Sequence, residues 1–178
     1  MPRIACAVLV ISLLALLAAC DHAPVSYPPP EQRPAVEGPK PEPAMMMVEL
    51  RDTDPTVHYV KDIVPGEGWW RWTGQQPTVK VLAYTTENLK MVVDFALWDT
   101  AMLQTGPVEL SFFVNDHLLD KVRYTKPGQE HFEKPVPPAW LRTDEESTAS
   151  VAIDKLYTAP LDGKKFGFIL TRIGFVPK

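Results

Sequence analysis

The run Leu89-Lys90-Met91-Val92-Val93-Asp94-Phe95-Ala96-Leu97 decides the fold class. Leu89, Met91, Val93, Phe95 and Leu97 alternate with Lys90, Val92, Asp94 and Ala96. A period of two in β-branched and aromatic residues marks a strand with one face on a core. The same alternation sets Val108, Leu110, Phe112 and Val114 against Glu109 and Ser111, and Val79, Val81 and Ala83 against Thr78, Lys80 and Leu82. Val151 and Ile153 lie opposite Ala152 and Asp154.

Breakers space these runs: Pro65, Gly66 and Gly68; Gly74; Gly106-Pro107; Lys126-Pro127-Gly128; Pro137-Pro138; Pro160; and Asp162-Gly163. No amphipathic helix of useful length fits between them. Asn115-Asp116 between two apolar runs predicts a tight hairpin, because both residue types tolerate positive φ. Lys165 to Phe175 fits either period, but Gly167, Gly174 and its three Phe residues favour a central strand buried on both faces. Nine or ten short strands in roughly 130 residues predict an all-β sandwich of the jelly-roll type over residues 45–178.

The rest of the chain is of a different kind. Nineteen prolines in 178 residues is a high share, and they concentrate in one place. Pro24, Pro28, Pro29, Pro30, Pro34, Pro39, Pro41 and Pro43 alternate with charged and polar residues, with too little apolar surface to bury. Such a segment favours polyproline II, and residues 20–44 reach roughly 70 Å at most when so extended. We read it as a spacer.

Before it, Met1-Pro2-Arg3 carries a positive charge and Ile4–Ala19 is apolar apart from Ser12. That is short for a membrane-spanning helix and fits a signal peptide over residues 1–19. Leu17-Ala18-Ala19-Cys20 resembles the lipobox of bacterial lipoproteins. The resemblance implies cleavage before Cys20, a diacylglycerol on its thiol and an acyl chain on its amino group. Several acyl chains anchor a protein stably, whereas one does so only marginally. Asp21 then implies retention at the periplasmic face of the inner membrane, by the sorting habit of enteric-type lipoproteins. Of the two cysteines, Cys6 is discarded with the leader and Cys20 is consumed by lipid. The folded domain is left to hold itself by its core alone.

Composition and motifs exclude several functions. A net charge of −4 with no basic run argues against nucleic acid. His22, His58, His117 and His131 show no metal-ligand spacing, so no metal or other cofactor is expected. There is no Gly-x-Ser-x-Gly elbow and no phosphate loop, so no catalytic residue is assigned and the protein reads as a non-enzyme.

The distinctive stretch is Gly66-Glu67-Gly68-Trp69-Trp70-Arg71-Trp72-Thr73-Gly74. As a strand it places Trp70 and Trp72 on one face, expected in the core, and Trp69 with Arg71 on the other. Trp69 beside Arg71 makes a candidate platform for a sugar ring. Trp98 and Trp140 are further candidates at strand ends.

Gly68–Gly74 resembles the opening "E-x-G-x-R-W-T/M-G" of a group of jelly-roll domains from bacterial proteins concerned with glycans, often called carbohydrate-binding-like. Phe113-Val114-Asn115-Asp116 resembles that group's "V-N-G" hairpin, with Asp116 for Gly. Pro160–Phe168 resembles its late "P-x-x-D-x-R-x-L-G-F" element, with Lys165 and Phe166 at the Arg and Leu-type positions. The resemblance implies a non-catalytic module that binds a glycan or exopolysaccharide in the cell envelope. The alternative is an accessory or scaffolding subunit docked on an envelope protein complex.

Overall fold

The structure, a computed structural model, describes residues 46–50, 58–66 and 68–178. The expected signal peptide, Cys20, Asp21 and the proline-rich spacer lie outside the described residues. The strands are β1 (Met47–Glu49), β2 (Tyr59–Ile63), β3 (Arg71–Val81), β4 (Leu89–Leu97), β5 (Val108–Val114) and β6 (His117–Tyr124). They continue as β7 (Gly128–Pro135), β8 (Ser147–Ile153), β9 (Tyr157–Thr158), β10 (Lys165–Phe166) and β11 (Ile169–Pro177). A short helix, α1 (Asp99–Thr105), joins β4 to β5 and buries Ala101 and Met102.

The pairings build two antiparallel layers, β1-β11-β4-β7 and β3-β8-β5-β6, with β2 on the free edge of β3. The chain crosses from one layer to the other at β3–β4, β4–β5, β6–β7 and β7–β8, and stays within a layer at the β5–β6 hairpin. That strand order is a jelly roll. The layers also join directly, since Arg71 and Trp72 at the start of β3 pair with Leu170 and Ile169 of β11. The result is one nearly closed sheet whose two ends are β6 and β7.

Alternation explains the core. Leu89, Met91, Val93, Phe95 and Leu97 of β4 are buried, as are Val108, Leu110, Phe112 and Val114 of β5. Aromatic rings run through the middle: Phe168 against Phe95 at 5.4 Å, Phe95 against Phe112 at 6.5 Å, and Phe112 stacked on Phe132 at 3.5 Å between centroids. Tyr124 packs edge-on to Phe95, and burial pushes its phenol up to about 12. Asn115 and Asp116 turn the β5–β6 hairpin with φ of 46° and 64°. Asn115 also secures it, donating from Nδ2 to the Trp140 carbonyl at 2.6 Å and accepting the Thr148 amide at 2.7 Å.

The C-terminal strand departs from expectation. Lys165–Phe166 belongs to a separate ribbon with β9, and the long strand begins only at Ile169. β11 is central, between β4 on one edge and β3 and β1 on the other, but only one of its faces is closed. Leu170, Ile173 and Phe175 are buried, whereas Ile169, Thr171 and Arg172 are half-buried. A register shift between Leu170 and Arg172 turns both Thr171 and Arg172 outward. No described helix is long and apolar enough to cross a membrane.

Candidate functional site

The outer face of the β1-β11-β4-β7 layer carries a row of polar side chains in register. Glu49 pairs with Arg172, Arg172 with Asp94, and Asp94 with His131. One residue from each of four neighbouring strands thus stands on a single line across the strands, alternating acid and base. Asp94 is the hub. Its Oδ2 accepts from Arg172 Nε at 2.6 Å, and its Oδ1 accepts from His131 Nδ1 at 2.5 Å. His131 Nε2 faces Glu133 Oε2 at 3.5 Å, and Lys90 Nζ donates to that carboxylate at 2.5 Å. The Lys90 hydrogen bond, aided by His131, holds the Glu133 carboxyl below its ordinary range. Thr171 Oγ1 donates to the Asp94 carbonyl at 2.8 Å, fixing the bulged part of β11 to β4.

Two tryptophans hang over this face. Gly68 has φ of 90°, a conformation that favours glycine, so the chain bends through Trp69 and Trp70 before β3 begins. Arg71 holds that bend from below. The residue is 6% exposed, and its guanidinium donates from Nη1 to the carbonyls of Gly68 and Trp70, each at 2.8 Å. Trp69 is left 56% exposed and Trp70 37% exposed. With Asp94, Gln129, His131 and Ile169 they line a cleft of about 620 Å³. A second hollow of about 430 Å³, lined by Glu49 and Arg172, adjoins it and shares Trp69, Asp94 and Thr171.

No protein-family model matches the chain. No curated protein matches it either.

Of the four candidate ligand-binding residues read from the sequence, Trp69 lines the cleft. Arg71 is a correction: it points inward and braces the tryptophan bend instead of facing a ligand. Trp70 is a second correction, since it is exposed and lines the cleft instead of joining the core. Trp72 is half-buried, in contact with Trp70 at 6.5 Å, Trp98 at 5.7 Å and Phe166 at 5.2 Å. The physical reason is one of phase. Alternation holds from Trp70 to Thr73, but Arg71 and Thr73 take the inward positions, not Trp70 and Trp72, because Thr73 is bonded into the buried crossing with Phe168. Trp98 and Trp140 are not brought to the cleft. Trp98 packs edge-on to Tyr157 and lines a separate apolar groove of about 380 Å³ with Trp72, Pro160 and Leu161. Trp140 is half-buried and stacks on His117 at 4.9 Å.

Sequence reading missed Glu49, Asp94, Gln129, His131, Thr171 and Arg172. The one available signal was that Asp94, Gln129 and His131 occupy outward positions of their strands. Which outward residues meet depends on pairing between β4 and strands 37 and 78 residues away, as in the contacts of Asp94 with His131 and Arg172. Among the described residues no three His, Cys, Asp or Glu side chains are grouped to hold a metal ion. Flat exposed indoles beside a row of hydrogen-bonding groups suit a ligand with apolar faces and many hydroxyls.

Proposed function

We propose that this chain is a membrane-anchored envelope lipoprotein whose jelly roll is a non-catalytic glycan-binding module. The observation that carries the reading is the cleft itself: Trp69 and Trp70 exposed over the Arg172-Asp94-His131 row. A sugar ring presents C–H groups to an indole and hydroxyls to polar neighbours, and this cleft offers both. Asp94 is already hydrogen-bonded on two sides, which fixes its carboxylate before a ligand arrives and lowers the entropy cost of binding. The signal peptide, lipidated Cys20 and proline-rich spacer place the module off a bilayer in this reading, with Asp21 favouring the inner membrane of a Gram-negative cell.

The test uses the full chain in detergent micelles, titrated with cell-wall and exopolysaccharide fragments while tryptophan fluorescence is followed. A saturable shift is expected, and Trp69→Ala should weaken binding at least about tenfold, equivalent to about 1.4 kcal/mol. Binding that Trp69→Ala and Asp94→Asn both leave unchanged would sink the proposal.

The apolar groove supports a second reading, docking on an envelope protein. Leu161 is fully exposed beside Trp98, 40% exposed, on one rim. If that is the working surface, Leu161→Asp abolishes capture of a partner by crosslinking in intact cells and Trp69→Ala does not.

A further inference from the structure

The geometry points to an internal segment of an unbranched, uncharged polysaccharide as the ligand, lying across the strands beneath Trp69; this rests on the glycan reading above. The two hollows share Trp69, Asp94 and Thr171, so they are lobes of one trough with Trp69 at the junction. The trough follows the in-register row from Glu49 on β1 through Arg172 and Asp94 to His131 on β7. Three strand spacings separate its ends, about 14 Å, room for about three linked sugar rings. Each lobe is of a size that takes a ligand larger than one ring, and both are open to solvent. A pit that grips a chain end needs a closed wall, and a row crossing four strands under an overhanging indole supplies a track instead.

The charges of the row select against an acidic chain. Signs alternate along it, and the Arg172 guanidinium is already bonded to Asp94, as His131 is. A uronic acid would find a carboxylate beside each of these bases, and the bases among the described lining residues, His131 and Arg172, are both already bonded to Asp94. Hydroxyl groups can both donate to the carboxylates and accept from the bases, so a neutral sugar meets each position of the row.

The experiment titrates the full chain with oligomers of one to six units from three neutral series, β-1,4-linked glucose, β-1,3-linked glucose and β-1,4-linked N-acetylglucosamine, and from oligogalacturonates. Binding is read by tryptophan fluorescence and calorimetry. In the series that binds, affinity is expected to rise at least tenfold from one unit to about three or four and then level off. Reducing the terminal sugar of the hexamer should leave its affinity unchanged, and the galacturonates should bind at least tenfold more weakly. A monosaccharide binding as tightly as the hexamer, loss of binding on end reduction, or tighter binding of galacturonate overturns the inference while leaving the glycan reading in place. Silence from every series overturns both.

Discussion

Arg71 spends its charge on its own backbone. A guanidinium in the core is costly, and here the Gly68 and Trp70 carbonyls offset part of that cost while fixing the bend that presents two indoles. Arg71→Ala removes both bonds and leaves two carbonyls without their donor. We expect a loss of about 2 kcal/mol of unfolding free energy in urea titrations, with a weaker ligand response because Trp69 loses its support. A variant as stable as the parent would show that the bend stands without Arg71. Asp94 works in the opposite sense, as an outward carboxylate whose two oxygens are each held by a base, so that its geometry is set by partners rather than by packing.

At the scale of elements, the crossing of β3 and the entry to β11 decides where the site sits. Thr73 and Phe168 form a closed set of bonds: the Thr73 amide donates to the Phe168 carbonyl at 3.0 Å, the Phe168 amide to Thr73 Oγ1 at 2.9 Å, and that hydroxyl to the Phe168 carbonyl at 2.9 Å. Gly167 completes it by donating to the Thr73 carbonyl at 2.7 Å. A methyl at residue 167 would lie 2.5 Å from the Gly74 carbonyl oxygen and 2.8 Å from Thr73 Oγ1. The first of these is backbone and cannot swing away, so Gly167→Ala should cost about 1–3 kcal/mol, as overpacked cores do. A thermal melt checks it, and an unchanged midpoint would mean that the two layers are not locked here.

At the scale of the whole molecule, the nearly closed sheet has a seam between β6 and β7. Lys134 of β7 reaches Asp120 of β6 at 2.7 Å across it, and this hydrogen bond holds the Asp120 carboxyl below its ordinary 3.8. A carboxyl depressed in the folded state contributes stability that is whole above pH 3.8 and is lost as pH falls through the lowered value. Between pH 6 and pH 3 the urea midpoint should therefore fall, and Asp120→Asn should make that fall shallower. Equal slopes for parent and variant would remove Asp120 from the account. The anchor is tested at the same scale: an alkyne-bearing fatty acid fed to cells should label the parent chain and not Cys20→Ser, and equal labelling refutes lipidation at Cys20.

Much of the architecture was legible because its determinants are local. The alternation in residues 89–97 and 108–114 reports one buried face per strand, and Asn115-Asp116 reports a turn that needs positive φ. The reading of an all-β jelly roll rests on those signals, and the pairings bear it out. The tryptophan stretch was legible in composition but not in phase, because alternation does not say which face is the core, and Arg71 with Thr73, not Trp70 with Trp72, turns inward. Of the polar row only single outward positions, such as Asp94, were legible, and not the row itself. Glu49, Arg172, Asp94 and His131 come from four strands, and a slip of one residue in any pairing would turn that strand's member to the other face. Register is a property of the closed sheet, so only the tertiary structure could decide that these four residues share one line under Trp69.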